Sequence, residues 1–365
     1  MASNSLTEVG GGWLGADLAN DPSRWTVEMP PAVGAELMEL AARRAGRAPA
    51  LDDSAPKVSP ATAAFVSGLR ELFMSGRYFG VVSGFPHEPF HTAQDAYWLL
   101  GLLLGAPVPQ NPRGTLIVRV EELEPAKRRA RGPESAARLP FHSDGGDLIT
   151  MLCIRPAASG GVTRLVSARA LHDLLLAESP HLLPELYRPL PFPLPPDLEA
   201  KYEAAGGRRD GEEMPWPALP VFGFAANGEF SAWYSRWHLE ASQRQAGAPR
   251  PTAGQLAAMD VLDEIAARPE VPLDIDLRPG QVLLFNNAEL LHARSAFESG
   301  PQGEGRLLLR LWLCFAGSQE LPDDYRDVYG ATEGGSYRGG VWPVDDRPGR
   351  LGLPVRAEGS RPRAS

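Results

Sequence analysis

The run Arg306 to Phe315, RLLLRLWLCF, constrains the fold more than any other stretch. Side chains alternate faces along an extended strand. Arg306, Leu308, Arg310, Trp312 and Cys314 therefore share one side, and Leu307, Leu309, Leu311, Leu313 and Phe315 the other. A strand apolar on both faces belongs in the middle of a sheet that is covered above and below. LITMLCI from Leu148 and QVLLFN from Gln281 read as further buried strands. The 38 glycines and 36 prolines are spread through the chain and favour a loop-rich β architecture over a helix bundle. The expected fold class is mainly β with flanking helices, α+β.

Arginines on so apolar a strand are at least partly desolvated, and an unpaired buried guanidinium is costly. Arg306 and Arg310 each need an anion, supplied either by carboxylates of the protein or by a ligand. The planar guanidinium fork matches a carboxylate at two points. Thr163 is placed to add a hydroxyl donor to the same anion.

A second constellation lies in FHSDGG, residues 141–146. On a strand His142 and Asp144 point the same way and Ser143 points away. An imidazole and a carboxylate joined by a second imidazole form a 2-His-1-carboxylate set, which suits non-haem Fe(II) and leaves positions open. His-x-Asp alone is a short pattern, equally compatible with a solvated polar turn. The second imidazole is read as His292, delivered after the QVLLFN strand by the connection 287–291. The other histidines read as structural or surface residues: His87 and His91 flank a helix start, His172 and His181 sit on a helical surface, and His238 marks a strand-helix junction.

In chain order, Trp13 and Trp25 suggest an N-terminal segment that wraps onto the body by burying its indoles. Helices are expected over 31–46, 59–76, 92–104, 168–187 with an interruption at Pro180, and 253–267. Strands are expected at YFGVVSGF and TLIVRV, and Asn227-Gly228 marks a hairpin. Phe230, Ala232, Tyr234 and Arg236 then share a face, which turns Arg236 inward beside an aromatic ring. Gln110 and Asn111 are candidates for a pocket wall. The charged segment 121–138 and the Pro-rich span 189–220, with its polar tip at 208–213, read as loops; the first is placed to act as a lid. The expected organisation is an N-terminal segment 1–58, a core 59–320 and a C-terminal extension 321–365, together one structural domain.

A net charge of −9 argues against a general nucleic-acid binder, and the run Lys127-Arg128-Arg129 reads as a solvated loop. Cys153 and Cys314 lie in apolar runs and read as small buried residues, not a disulfide framework. No signal-peptide pattern and no membrane-length apolar run occur, so a cytoplasmic location is expected, with no membrane partner. A hydrophobic content of 43% fits a globular protein.

With these residues assembled, the chain resembles the TauD/TfdA family of Fe(II)/2-oxoglutarate-dependent dioxygenases, within the clavaminate-synthase-like superfamily. The similarity runs from about Tyr78 to Phe315 through FHSDGG, the GGVTR turn, RPGQVLLFNN, LLHARSAF and RLLLRLWL. Gln281 stands where the family usually has Asp. The resemblance implies a double-stranded β-helix (jelly roll), with Fe(II) held by His142, Asp144 and His292. It also implies 2-oxoglutarate held at its distal carboxylate by Arg306 with help from Thr163, and O2 as the oxidant. Arg310 occupies the place from which family members often meet the substrate, and Arg236 is a further candidate. The implied reaction is oxidation, by default hydroxylation, of an unactivated C–H bond in a small molecule bearing a carboxylate, such as an amino acid, with release of succinate and CO2. Two other readings stay open: a non-catalytic jelly roll that senses a small acid or metal, and a zinc-dependent hydrolase using the same triad.

Overall fold

The strand expected over 306–315 forms as Leu307–Cys314 and has neighbours on both sides. The computed structural model describes residues 7–44, 46–121, 136–193, 208–209, 212–213, 216–298 and 305–342. The strands that build and flank the site are β1 (Thr26–Glu28), β2 (Phe79–Ser83), β3 (Ala106–Pro107), β4 (Val118–Glu121), β5 (Leu139–His142), β6 (Leu148–Arg155) and β7 (Thr163–Ser167). They continue with β8 (Phe222–Phe224), β9 (Phe230–Ala232), β10 (Leu273–Ile275), β11 (Val282–Asn286), β12 (Leu290–Arg294) and β13 (Leu307–Cys314). The longer helices among the described residues are α1 (Pro31–Ala42), α2 (Pro60–Met74), α3 (Phe90–Leu104), α4 (Ala168–Glu178), α5 (Arg236–Ser242) and α6 (Ala253–Ala267).

The larger sheet has the order β1-β2-β11-β6-β13-β3, with β4 also paired to β13; only β1 and β2 run parallel. The smaller sheet, β10-β7-β12-β5, is antiparallel throughout.

Alternation along β13 decides how the layers stack. Leu307, Leu309, Leu311 and Leu313 face outward onto α1, α2 and α3, meeting Leu37, Leu69, Phe73 and Trp98. Leu308, Trp312 and Cys314 face inward, joining Ile149, Met151 and Phe285 of their own sheet and Leu165, Leu273 and Leu290 of the other. The far side of the smaller sheet is covered by α4 and α6 through Val166, Leu171, Leu175, Met259, Leu262 and Leu291. Two sheets, antiparallel but for the β1–β2 pair, face each other across one interior, as in a double-stranded β-helix, and Arg310 of β13 and Arg306 just before that strand point into the interior.

Local chemistry sets the helix ends. Ser59 caps α2 by accepting from the Thr62 amide ahead of Pro60, and Thr252 with Gln255 forms a capping box on α6. The expected hairpin closes between β8 and β9, with Gly228 at φ 87°. Trp13 packs on Phe79 with ring centroids 5.3 Å apart, and Trp25 lies 6.1 Å from the same ring.

Some expectations need correction. The alternation after the hairpin stops at Ala232, and Arg236 opens α5 because Ser235 caps that helix through the His238 amide. His172 is buried, not on a helical surface; its ring nitrogens meet Asp173 Oδ1 at 2.8 Å and the Tyr187 hydroxyl at 2.9 Å, so it is structural all the same. The strand expected from Thr115 begins at Val118. Most of the charged segment 121–138, including Lys127-Arg128-Arg129, lies outside the described residues, as do much of the span 189–220 and everything after residue 342. Among the described residues, no helix is long and apolar enough to cross a membrane.

Candidate metal and co-substrate site

Strand register brings the two imidazoles together. β12 pairs with β5 so that His292 lies opposite His142, and the ring centroids are 4.1 Å apart. β5 ends at His142, so Asp144 stands in the loop that follows and not on the strand. Its carboxylate nevertheless turns back, with Oδ1 3.8 Å from His142 Nε2 and Oδ2 3.6 Å from His292 Nε2. One donor atom from each of the three residues lies within 4.8 Å of the others, and among the described residues this is the group suited to hold an ion.

Two uncharged residues, Asn287 and Ser143, help hold the loop in place. Asn287 accepts from the Asp144 amide at 2.9 Å and donates to the carbonyls of Asp144 and Gly146 at 2.8 and 2.9 Å. Ser143, directed away from the triad as expected, exchanges hydrogen bonds with the Tyr234 backbone.

The donor chemistry fits a metal. His142 Nδ1 lies 2.9 Å from the Pro140 carbonyl and so carries the ring proton, which leaves Nε2 with its lone pair toward Asp144. Burial pushes both imidazoles below their ordinary range, His292 to about 3, so they stay neutral. Burial raises the Asp144 carboxyl, but Arg310, the two histidines and the Trp312 indole more than offset this, and the group ends below its usual range. A carboxylate and two neutral imidazoles form the set expected for a facial Fe(II) site.

Arg310 of β13 and Arg306, just before that strand, meet different partners. Arg310 donates from Nη1 to Asp144 Oδ2 at 2.9 Å and from Nε to Gln110 Oε1 at 2.9 Å. Gln110 in turn donates to the carbonyls of Arg310 and Leu116. Arg310 thus has an internal carboxylate, and Gln110 is its brace. Arg306 is 3% exposed and lies over the Phe297 ring; among the described residues its hydrogen bond is one long contact, Nη2 to the Gly161 carbonyl at 3.4 Å, and no described residue accepts from its buried Nη1. Burial pushes this guanidinium down to about 10. Gly161 opens the space beside it, since a Cβ there would lie 3.0 Å from Arg306 Nε and the residue sits at φ 71°. Thr163, buried at the start of β7, pairs in register with Arg294, whose guanidinium lies near Arg306 and is pushed down by burial and by that charge.

Two further candidates are occupied elsewhere. Arg236 pairs with Asp260 at 2.6 Å and Asp263 at 3.0 Å, so its anions come from α6. Asn111 accepts from the amides of Arg113 and Thr115, which commits its carbonyl oxygen to a turn.

Sequence reasoning missed the roles of Trp312, Asn287 and Arg294. Trp312 donates to Asp144 Oδ2 at 2.9 Å, and its place two residues beyond Arg310 on the inward face was the available signal. His238 is stacked on Phe192 at 4.8 Å, is close enough to feel the charges of His142 and Asp144, and is held at Nδ1 by Ser235.

Two facing sheets, with a His-Asp-His cluster and a buried arginine between them, define the jelly-roll class of non-haem iron oxygenases. The chain belongs to the TauD/TfdA family: the family pattern described as "Taurine catabolism dioxygenase TauD, TfdA family" matches residues 41–312. It is thus an Fe(II)- and 2-oxoglutarate-dependent dioxygenase that acts on a small molecule. A similar curated protein is FR-33289 synthase of Streptomyces rubellomurinus, 28% identical over 83% of this chain and 88% of that protein. Among solved structures, the chain resembles asparagine oxygenase in complex with Fe(II), 2S,3S-3-hydroxyasparagine and succinate. That match has a TM-score of 0.59 at 18% identity and covers 80% of this chain and 93% of the other. It also resembles the oxygenase OrfP in complex with Fe and alpha-ketoglutaric acid, with a TM-score of 0.57 at 16% identity over 79% and 93% of the two chains.

Proposed function

We propose that His142, Asp144 and His292 hold the iron, that Arg306 with Thr163 grips the distal carboxylate of 2-oxoglutarate, and that the substrate is a small amino acid or related carboxylate-bearing metabolite. The observation that carries this reading is Arg306 itself: a guanidinium 3% exposed, with a buried Nη1 that no described residue satisfies. Such a group is tolerated where a ligand brings the missing anion.

When bound, Fe(II) and 2-oxoglutarate would activate O2, which supplies the oxidising power to break an unactivated C–H bond, with succinate and CO2 as co-products. The chain's own residues do the positioning. Asn287 fixes the loop of Asp144, the Pro140 carbonyl fixes the tautomer of His142, and the apolar walls of Phe285 and Trp312 limit water around the cluster. Arg310 is bonded to Asp144 and Gln110, and no described residue takes its Nη2. That nitrogen is suited to a substrate carboxylate beside the iron. The amino acid product in the asparagine oxygenase complex supports the same substrate class. Residues 1–58, 59–320 and 321–365 act in this reading as one unit.

The test is an anaerobic titration of metal-free protein with Fe(II) and then 2-oxoglutarate, followed by the visible charge-transfer band of the chelated keto acid. The band is expected in the wild type, weakened in Arg306→Ala and lost in His292→Ala. Metal binding without any band in the wild type would reject the co-substrate assignment. A screen of amino acids by succinate release then tests the substrate class.

A further inference from the structure

The family pattern ends at residue 312, yet the chain returns to the site after it. Residues 337–342 run beside the loop that carries Asp144. The Gly340 amide donates to the Gly145 carbonyl at 2.7 Å. Gly339 lies so close that a Cβ there would sit 2.3 Å from the same oxygen. Arg338, 1% exposed, donates from Nε to Asp147 Oδ1 at 2.8 Å. Its other nitrogens reach the carbonyls of Thr332 and Gln319 at 3.0 and 2.7 Å. Asp147 is itself tied to the other side of the site, because its carbonyl accepts from the Asn287 amide at 2.9 Å.

A second route leads from this segment to the same carboxylate. Val341 pairs with Gln110 in a parallel bridge, and the Val341 amide donates to the Pro109 carbonyl at 2.7 Å. Gln110 braces Arg310, and Arg310 holds Asp144 Oδ2. The Tyr337 hydroxyl adds a bond to the Pro107 carbonyl at 2.9 Å.

We infer that residues 337–342 form a clasp that positions Asp144 for the metal, with Arg338 as its anchoring residue. Both routes end on the carboxylate: one fixes the backbone of its loop through Gly145 and Asp147, and the other fixes its oxygen through Gln110 and Arg310. Arg338 touches neither metal nor substrate in this account; it acts through the loop. The inference rests on the triad as the metal site.

The experiment is anaerobic titration of the full-length, metal-free protein with Co(II) chloride, following the visible absorption of the bound ion. Arg338→Met is expected to weaken Co(II) binding at least tenfold and to change the absorption envelope, whereas Arg338→Lys, which keeps a cation opposite Asp147, recovers most of the affinity. Phe73→Leu, in the outer core, serves as a control for lost stability and is expected to bind Co(II) as the wild type does. A folded Arg338→Met with wild-type affinity and spectrum overturns the clasp, and so does an equal loss in Phe73→Leu. Should Arg338→Met not fold, Gly339→Ala, whose added Cβ would press on the Gly145 carbonyl oxygen, decides by the same criteria. His292→Ala separates the two levels: wild type that binds Co(II) while this variant does not secures the triad whatever Arg338 does. Absence of Co(II) binding in the wild type rejects triad and clasp together.

Discussion

Two arginines four positions apart on one strand face meet opposite fates. Arg310 finds Asp144, while Arg306 keeps a buried nitrogen without an acceptor among the described residues. Under the proposed reading, Arg306→Met loses a desolvated ion pair with 2-oxoglutarate. The expected cost is about 3 kcal/mol, or on the order of 100-fold in co-substrate affinity, with Fe(II) binding retained. Anaerobic titration of 2-oxoglutarate against the charge-transfer band measures it. His238 offers a test of a different kind. Burial, with His142 adding to it, pushes this imidazole down to about 3. In the unfolded chain a histidine titrates near about 6.5. Between those values the unfolded state binds a proton that the folded state does not, so stability is complete above the higher value and is lost as pH falls. The slope is at most about 1.4 kcal/mol per pH unit for one such group. His292 adds a proton of the same sign. His238→Phe, which keeps a ring in the stack with Phe192, is expected to remove one proton's share of the slope in urea unfolding between pH 6 and 4.

At the scale of elements, the site depends on how strands and loops are held more than on what they carry. Asn287 makes three side-chain bonds to the Asp144 loop from a position 1% exposed. Asn287→Ala leaves an amide and two carbonyls unsatisfied and is expected to cost about 2–4 kcal/mol in urea unfolding, with weaker metal binding as well. Leu311, wholly buried on the outer face of β13, is expected to cost about 2–5 kcal/mol when changed to Ala, without altering the metal spectrum. The strands themselves were legible because alternation is a local signal: β13, β6 and β11 could be drawn from their own residues, and so could the hairpin at Asn227-Gly228. His142, Asp144 and His292 could be chosen from spacing together with resemblance. The partners of the arginines could not. Arg310 meets a carboxylate 166 positions away, Arg236 meets two from a separate helix, and nothing around Arg338 marks it as buried. Long-range pairing of charges is decided by the packing of whole layers, which local pattern does not encode.

At the scale of the whole molecule, the site joins both sheets, so ligands that bind only the folded chain should stabilise all of it. Mn(II) with 2-oxoglutarate, each at a hundredfold excess over its dissociation constant, is expected to add about 2.7 kcal/mol per ligand. The rise in Tm should appear in the wild type and vanish in His292→Ala. A scan of Tm against ligand concentration checks the logarithmic dependence. The pairing of His142 with His292 across β5 and β12 has a further consequence. An ion held by both rings is a cross-link that closes a loop of roughly 150 residues, a length for which a covalent bridge would restrict the unfolded chain by about 5 kcal/mol. Under the proposed reading, iron held by these two rings would be a seam as well as a reagent: where it is lost, the edge of the smaller sheet would regain the freedom to part, and the reactive half-sites would separate with it.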